Sequence, residues 1–207
     1  MDLLQSLYID EDFAEWAFTS HLAIEAIEET ITQLMAEFGT QNQTIHPSAT
    51  IHPSAVLDRH VAIGSNVRIG PNCYIREWSY IEPNVCLGYN VEVSRAIILS
   101  GSQIHHSACI DNTIVGQDCN LGAGFIAATR RLGKETAGHI EVGEKVLISD
   151  RRHHGAVIGH RVETGVMVCT MPGATIGHGS MIFPRSIVSG CLLPGSRGYF
   201  APSWAAR

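Results

Sequence analysis

Residues 45–92 read IHPSAT IHPSAV LDRHVA IGSNVR IGPNCY IREWSY IEPNVC LGYNVE when they are written six at a time. The first residue of each hexad is aliphatic, the fifth is small or β-branched, and Pro or another turn former recurs at the third. The same spacing returns in residues 158–187 as IGHRVE, TGVMVC, TMPGAT, IGHGSM and IFPRSI. A short repeat of fixed period is the sequence signature of a solenoid.

The length of the hexad predicts the shape of the coil. Six residues make one short strand and one corner, so about eighteen residues make one triangular coil. Coils that stack at about 4.8 Å complete their backbone hydrogen bonds, and positions one and five then face inward. A β-sandwich also alternates apolar and polar residues, but its turns do not recur every six residues. We therefore predict an all-β solenoid, a β-helix of hexapeptide repeats over residues 44–194.

Composition and charge limit the function classes. The chain has 207 residues, of which 45% are hydrophobic and 16% charged, which suits one core with an appendage. Residues 1–43 contain nine acidic side chains and no Lys or Arg, whereas residues 130–161 contain seven of the fourteen Lys and Arg. This basic segment indicates an anionic small ligand. Nucleic acid would need a longer basic face, so we expect no nucleic-acid partner.

The two ends of the chain differ from the hexads. Residues 10–38 carry apolar side chains at helical spacing, with Gly39 as a stop, and predict an N-terminal α-helical segment within residues 1–43. These helices are expected to cover one end of the β-helix or the side of a coil, and partner recruitment is the alternative. The tail, residues 195–207, is expected to pack over the last coil or a neighbour through Tyr199, Phe200 and Trp204.

Two interruptions of the repeat are candidate binding loops. The hexads slip in register between Val93 and Ile114, and the sequences AATRRLGKETAG at 127–138 and SDRRHHGA at 149–156 leave the pattern altogether. Solenoids carry insertions at their corners, and loops on a rigid frame commonly hold binding groups.

Cysteine usage and the absence of targeting signals predict a location. None of the six cysteines forms a CxxC pair, and two of them fall at the small inward position, so we expect reduced core residues. We find no basic leader, long apolar run or lipidation motif in the sequence. We therefore expect a cytoplasmic protein with no membrane segment.

A longer stretch gives a more specific match. Residues 69–124, IGPNCYIREWSYIEPNVCLGYNVEVSRAIILSGSQIHHSACIDNTIVGQDCNLGAG, resemble the C-terminal β-helix of sugar-1-phosphate nucleotidylyltransferases. Examples are the bifunctional N-acetylglucosamine-1-phosphate uridylyltransferase/glucosamine-1-phosphate acetyltransferase and long-form relatives of glucose-1-phosphate thymidylyltransferase. The resemblance covers about residues 45–190. It implies a left-handed coil, a homotrimer, and acetyl transfer from acetyl-CoA to the amine of an amino-sugar phosphate or nucleotide sugar.

The resemblance also implies roles for single residues. His106 matches the general base that takes a proton from the attacking amine, and Ala123 matches the residue whose backbone N–H stabilises the oxyanion. Arg76 matches an arginine that binds the sugar phosphate. The further substrate-binding candidates are Asn120, Thr129, Arg131 and Lys134.

Three departures from the family pattern leave a second hypothesis open. Ser94 stands where the family has a lysine, Cys109 where it has a tyrosine, and Thr129 where it has an asparagine. The alternative is therefore a catalytically weakened sugar-phosphate-binding protein, or a trimeric scaffold or regulator. The 43 residues before the hexads are too few for a nucleotidylyltransferase domain, so we expect no synthesis of nucleotide sugars by this chain.

Eleven histidines raise a third hypothesis, a metal-dependent enzyme. The γ-class carbonic anhydrases are β-helices that bind metal through three histidines across a subunit interface. Their GHxxxxHG run has no counterpart here, so we expect no metal site.

Overall fold

The computed structural model describes residues 7–8, 12–37 and 43–198. Residues 43–198 form a left-handed parallel β-helix of about 9 turns with three faces, as the hexads and the resemblance predict. The last strand lies beyond residue 194, where the sequence suggested that the tail begins. Tyr199, Phe200 and Trp204 lie outside the described residues. No described helix is long and apolar enough to cross a membrane.

The chain visits three parallel sheets in the repeating order A, B, C. Sheet A contains β1 (Gln43–Ile45), β4 (Val61–Ile63), β7 (Ser79–Ile81), β10 (Ala96–Ile98), β13 (Ile114–Val115), β18 (Val157–Ile158), β21 (Thr175–Ile176) and β24 (Cys191–Leu192). Sheet B contains β2 (Thr50–Ile51), β5 (Arg68–Ile69), β8 (Cys86–Leu87), β11 (Gln103–Ile104), β14 (Asn120–Leu121), β19 (Glu163–Thr164), β22 (Met181–Ile182) and β25 (Arg197–Gly198). Sheet C contains β3 (Val56–Leu57), β6 (Tyr74–Ile75), β9 (Glu92–Ser94), β12 (Cys109–Asp111), β15 (Ile126–Ala127), β20 (Cys169–Thr170) and β23 (Ile187–Val188).

The core is built from the positions that the hexads assign to it. First-position residues such as Ile69 and Leu87 and fifth-position residues such as Val67, Cys73 and Val85 are buried in one continuous cluster. Small side chains at position five fit the narrow space where two sheets meet. The fourth position has a left-handed backbone, for example φ 57° at Asn72, which explains the recurrence of Asn there because Asn tolerates this region better than most residues.

The slip in register makes two coils one residue shorter. Ser79 pairs with Val61, which is eighteen positions earlier, whereas Ala96 pairs with Ser79, which is only seventeen positions earlier. The next coil is also short, because Ile114 pairs with Ile97. Both missing residues fall at the corner between sheets C and A, which we call the CA corner.

Two helices cover the outer side of sheet A. The sequence left two positions open for them, one end of the β-helix or the side of a coil, and they occupy the second. Helix α1 (Phe13–Glu25) is capped by Asp12, whose carboxylate accepts hydrogen bonds from two N–H groups of the first turn, and helix α2 is Ile27–Glu37. Their buried side chains pack on outward-facing residues of sheet A in a second apolar cluster. That cluster includes Trp16, Ile24, Ile27, Ile31, Ala62, Ile97, Leu99, Ile114 and Val157.

The two interruptions at 127–138 and 149–156 belong to one excursion from the CA corner. Between them lies an antiparallel hairpin of β16 (Gly138–Val142) and β17 (Lys145–Ser149), which the hexad pattern did not predict. The hairpin packs against α1, and Lys145 forms an ion pair with Glu15. Residues 150–156, which we call the return segment, lead the chain back to sheet A.

Candidate active site

His106 lies at the corner between sheets B and C, which we call the BC corner. Its Nδ1 accepts a hydrogen bond from the backbone N–H of Tyr89 at 3.1 Å, and the two rings stack with centroids 4.5 Å apart. The side chain is exposed to solvent. Because Nδ1 is the acceptor, the neutral ring carries its proton on Nε2. In this conformation Nε2 is a donor toward solvent.

Ala123 occupies the same corner one coil further along. The carbonyl of His106 accepts from Gly124 N–H at 2.8 Å, and the carbonyl of Ala123 accepts from Met167 N–H at 2.8 Å, so the corners stack in register. The N–H of Ala123 donates to no protein atom within the described part of the chain. The corner therefore presents an available backbone donor about one coil spacing, roughly 4.8 Å, from His106.

Asn120 lies beside the same corner, on the outer side of sheet B. Its Oδ1 is 2.7 Å from Nε2 of His105, which donates because the amide oxygen can only accept. The neutral His105 ring then has its lone pair on Nδ1. The structure thus brings four polar groups of the BC corner together, and His105 was not among the sequence-predicted site residues.

A groove of about 520 Å³ opens at the CA corner. Sheet C separates it from the BC corner. The two shortened corners form one wall and the return segment forms the other. The groove is lined by Arg76, Ser94, Arg95, Asp111, Asn112, Arg151, Arg152 and His153. Four of these side chains are arginines and one is a carboxylate.

Three of the four groove arginines are held by carboxylates, and the fourth is not. Arg76 pairs with Glu92 at 3.0 Å, and this hydrogen bond raises the pKa of the guanidinium. Arg95 pairs with Glu77 at 2.7 Å and with Glu28 of α2 at 3.2 Å, and Arg151 is 3.9 Å from the same Glu28. Arg152 is exposed and has no ion pair among the described residues.

The return segment is anchored by α1. Glu25 accepts from His154 Nδ1 at 2.8 Å and from Ser149 Oγ at 2.5 Å, and its carbonyl accepts from Arg151 at 2.8 Å. Burial acts to raise the pKa of Glu25. The two side-chain hydrogen bonds and the charges of His154 and Arg151 outweigh burial and hold that pKa below its ordinary value. The helical segment therefore positions the arginines of the groove.

The predicted residues of the insertion lie apart from both corners. Arg131 donates to the carbonyl of His139 at 2.9 Å inside the insertion, and Lys134 is exposed. Neither residue lines the groove. Thr129 lies nearer to it, because its hydroxyl is 3.0 Å from Nδ1 of His153. Contact of these three residues with a substrate stays a prediction.

Cys109 lies on sheet C between the two corners. Burial, with the charges of Glu92 and Asp111, raises the pKa of its thiol to about 11. At neutral pH the side chain is a protonated thiol, and only the thiolate is a strong nucleophile. Cys109 is therefore suited to packing against a ligand rather than to covalent catalysis.

Within residues 7–8, 12–37 and 43–198, no three His, Cys, Asp or Glu side chains are grouped so that they could hold a metal ion.

Sequence reasoning missed Arg95, Asp111 and Asn112 as groove residues. The signal was present, because the register slips fall at these positions.

Comparisons with known proteins agree with this fold and with the predicted resemblance. The family model described as "GMPPB C-terminal domain" matches residues 69–165, and "Bacterial transferase hexapeptide (six repeats)" matches residues 44–76. The chain is 33% identical over 116 residues to a bifunctional sugar-1-phosphate nucleotidylyltransferase/acetyltransferase of Sulfurisphaera tokodaii. It is 35% identical over 121 residues to the bifunctional protein GlmU of Methanococcus vannielii. These matches confirm the resemblance to the β-helix of sugar-1-phosphate nucleotidylyltransferases.

The alignments are partial on both sides. Each covers 56% of this chain and 29% of the relative, so the chain spans less than a third of the length of these curated relatives.

Two solved structures are similar in fold at low sequence identity. A variant of perosamine N-acetyltransferase from Caulobacter crescentus, in complex with CoA and GDP-perosamine, has a TM-score of 0.42 and 20% identity, covering 87% of this chain and 72% of the other. A variant of AntD, an N-acyltransferase from Bacillus cereus in complex with dTDP and coenzyme A, has a TM-score of 0.45 and 15% identity. It covers 82% of this chain and 85% of the other.

Proposed function

We propose that this protein is an acyl-CoA-dependent acyltransferase that acetylates the amine of an amino-sugar phosphate or a nucleotide-linked amino sugar. Two findings support the class. Residues 44–76 match a transferase hexapeptide model, and the aligned Sulfurisphaera relative carries the name acetyltransferase. Acetyl-CoA is the proposed donor.

The observation that carries the proposal is the pairing of His106 with the available N–H of Ala123 at one exposed corner. The amine nitrogen attacks the thioester carbonyl of acetyl-CoA, a C–N bond forms, and the C–S bond breaks. His106 takes the proton that the amine loses and returns it to the departing thiolate. The Ala123 N–H donates to the oxyanion of the tetrahedral intermediate.

His106 has to move before it acts as a base. Its Nδ1 lone pair is occupied by the Tyr89 N–H in the described conformation. Rotation of the ring would release Tyr89 and direct the lone pair to the amine. When the amino sugar is bound, its amine donates a hydrogen bond to Nδ1 and replaces the bond lost from Tyr89. The free-energy cost of breaking that bond is therefore uncompensated only in the enzyme without substrate.

The separation of the two corners bears on the length of the acceptor. His106 and Asp111 are five residues apart, so at most about 16 Å of extended chain separates the BC corner from the groove. A ligand that reaches both corners of one protomer has to lie along sheet C across Cys109. This favours a nucleotide-linked sugar over a bare sugar phosphate within one protomer.

We further propose that the protein is a homotrimer in the cytoplasm. The helices cover sheet A, whereas sheet C and the BC corner carry exposed apolar side chains that a second copy would bury. These exposed residues are Val56, Tyr74, Ile126, Val166, Met167, Phe183 and Ile187. Light scattering on the purified full chain measures the trimer directly.

A second function is favoured by a specific observation. His160 and His178 occupy the same hexad position as His106, and both accept a backbone N–H on Nδ1 as His106 does, at 2.9 Å and 2.8 Å. These two buried rings are structural. If His106 has the same role as these two histidines, its ring only stabilises the corner. The protein is then a sugar-phosphate-binding or scaffold protein that performs no acyl transfer.

Acetyl-CoA binding separates the two functions. A ligand at a hundred times its dissociation constant stabilises the folded protein by about 2.7 kcal/mol. The acyltransferase proposal requires a rise in melting temperature with acetyl-CoA in the wild type and in His106→Ala, because this change removes the base and leaves the donor site. The absence of any rise contradicts the acyltransferase proposal and supports the binding protein.

A further inference from the structure

Four of the eleven histidines are buried where helix α1 meets the β-helix. His21 and His154 are fully buried, and His160 and His178 are 1% and 8% exposed. His21 belongs to α1 and His154 to the return segment, while the other two lie at the corner between sheets A and B, which we call the AB corner. Histidine gains its charge nearest to neutral pH, and a buried charge is costly. This contact of α1 is therefore sensitive to mild acid.

The two histidines of the AB corner are held in the neutral form by the backbone. Nδ1 of His160 accepts from the N–H of Gln117 at 2.9 Å, and Nδ1 of His178 accepts from the N–H of His160 at 2.8 Å. An imidazolium carries a proton on both ring nitrogens, so a charged ring would lose this bond. The Trp16 ring of α1 lies over both imidazoles, with centroids 4.9 Å and 4.6 Å away. Neither imidazole can turn to water while α1 is in place.

His106 shows what the cover changes. Its Nδ1 accepts the N–H of Tyr89 in the same way, but its ring is exposed at the BC corner. This ring can rotate into water and take up a proton without disturbing another element. The contact with α1 is thus what ties the protonation of His160 and His178 to the position of a helix.

The pair of His21 and His154 admits one positive charge at most. His154 Nδ1 donates to Glu25, and His154 Nε2 lies 2.9 Å from His21 Nδ1. Only one proton fits between these two nitrogens, so both rings cannot be imidazolium at once. Glu25 is the carboxylate that faces the pair, and Arg151, which donates to the carbonyl of Glu25, adds positive charge. A second proton would have no carboxylate to offset it.

The other groups that face these histidines do not compensate further protons. Thr175 of sheet A, 2.8 Å from His21 Nε2, is uncharged. Burial raises the pKa of the Cys191 thiol, which packs against the helices from the same sheet, so this thiol stays protonated in acid. The charged groups nearby are already engaged: Asp12 caps α1, Glu15 pairs with Lys145, and Glu28 pairs with Arg95 and Arg151.

The contact between the helices and sheet A is separate from the core of the β-helix. The side chains between the helices and sheet A form one apolar cluster, and the inward-facing side chains form another. In strand β10, for example, Ile97 belongs to the first cluster, whereas its neighbours Ala96 and Ile98 belong to the second. The helices can therefore leave sheet A without opening the inward core.

We propose that α1 and α2 form an acid-released cover: as the pH falls below about 6, proton uptake by the buried histidines detaches both helices from sheet A while the β-helix stays folded. Release allows His160, His178 and the second ring of the His21 and His154 pair to take up protons. Each of these protons shifts the equilibrium toward the released state by up to about tenfold per pH unit below about 6.5. Release also exposes the apolar outer side of sheet A and breaks the bonds from Glu25 that hold the return segment beside the groove.

Hydrogen–deuterium exchange of the full chain tests this switch. Exchange is read by mass spectrometry at pH 7.5 and pH 5 and is corrected for the pH dependence of intrinsic amide exchange. We expect the protection of residues 13–37 to fall at least tenfold at pH 5 and to recover when the pH returns to 7.5. Residues 61–127 of the β-helix should keep their protection. The measurement involves no acyl transfer, so it stands apart from the proposed function.

A triple variant identifies the histidines as the cause. His21→Gln, His160→Asn and His178→Asn introduce amides that carry no charge at any pH, and an asparagine carbonyl can accept the corner N–H in place of Nδ1. We expect this variant to keep its helices protected at pH 5. The matched control replaces three exposed histidines, as His46→Gln, His52→Gln and His139→Gln, and should release its helices as the wild type does.

Three results would overturn the proposal. They are unchanged protection of residues 13–37 in the wild type at pH 5, a parallel loss of protection in residues 61–127, and equal release in the wild type and the triple variant. The first two are read on the wild type alone, so they decide the matter even if circular dichroism shows that the triple variant does not fold at pH 7.5. In that case His21→Gln alone is compared with His52→Gln, and equal release in these two variants would exclude His21.

Discussion

The Nδ1 atom of His154 donates a hydrogen bond to Glu25 Oε1 at 2.8 Å and thereby joins the return segment to helix α1. Because the carboxylate can only accept, His154 Nδ1 carries a proton, and His154 Nε2 lies 2.9 Å from Nδ1 of His21. His21 Nε2 in turn lies 2.8 Å from the hydroxyl of Thr175 of sheet A. This chain of bonds joins the return segment, helix α1 and sheet A through two fully buried histidine side chains.

The buried chain makes stability depend on pH. Burial, and then the charge of His154, hold the pKa of His21 well below its ordinary value, so the unfolded chain takes up a proton first as pH falls. The stabilisation is complete above about pH 6.5 and decreases below it, by up to about 1.4 kcal/mol per pH unit. Glu25, whose pKa is also lowered, adds a loss of the same sign below about pH 4.5.

Urea unfolding between pH 7.5 and pH 5 measures this dependence. We expect the free energy of unfolding of the wild type to decrease over this interval, and His21→Gln to show a shallower decrease because the titrating group is gone. His52→Gln, at an exposed histidine, should keep the wild-type slope. An unchanged slope in His21→Gln would show that His21 is not responsible.

Trp16 is expected to be the main contact that holds the helices on sheet A. Its ring is 2% exposed and packs on His160 and His178, with centroids 4.9 Å and 4.6 Å away, while its Nε1 donates to the carbonyl of Leu7 at 2.9 Å. Trp16→Ala should lower the free energy of unfolding by about 3–5 kcal/mol. Leu132→Ala, at a side chain that is 93% exposed, should change it by less than about 0.5 kcal/mol. A loss below 1 kcal/mol for Trp16→Ala would mean that the helices are not packed in this way.

Two buried serines are expected to respond oppositely to replacement by alanine. Ser79 Oγ has no partner within the described chain, so Ser79→Ala should raise the free energy of unfolding by about 1 kcal/mol. Ser102 Oγ donates to the carbonyl of Gly116 at 2.7 Å and accepts from Cys119 N–H at 3.0 Å. Ser102→Ala leaves both groups unsatisfied and should lower the same quantity by about 1–3 kcal/mol. Equal effects at the two positions, measured by chemical denaturation, would contradict the assignment of these bonds.

The backbone donor at Ala123 can be removed without a change of corner. Proline occupies the same third hexad position at Pro71 and Pro83, so Ala123→Pro deletes the N–H in a backbone that already accommodates proline. If this N–H stabilises the oxyanion, kcat should fall by about 10²–10³ while the melting temperature changes little. Ala123→Ser keeps the donor and should retain most of the activity. Wild-type turnover in Ala123→Pro would remove Ala123 from the mechanism.

The repeat predicted the fold because each hexad position has one physical role. Inward positions are narrow and dry, and the fourth position needs a left-handed backbone, so the local sequence specifies the coil. The docking of the helices on sheet A was less clear, although the outward residues Ala62, Ile97 and Ile114 are apolar where the equivalent residues of sheet B, such as Arg68 and Gln103, are polar. This difference appears only when every third hexad is compared.

The candidate site could be predicted only in part. The resemblance pointed to His106, Ala123 and Arg76, but it could not show that Arg76 and His106 lie at different corners of the β-helix. The groove depends on the hairpin insertion and on its hydrogen bonds to Glu25, more than a hundred residues away in sequence. No local pattern in the sequence encodes contacts of that range.

Mass spectrometry of reaction products tests the acyltransferase proposal most directly. The purified full chain is incubated with acetyl-CoA and a panel of amino-sugar phosphates and nucleotide-linked amino sugars, beside His106→Ala and the exposed-histidine control His52→Ala. The proposal predicts an acetylated acceptor with wild type and with His52→Ala, and a reduction of at least a hundredfold with His106→Ala. Equal product from His106→Ala, or no product from any acceptor with the wild type, would contradict it.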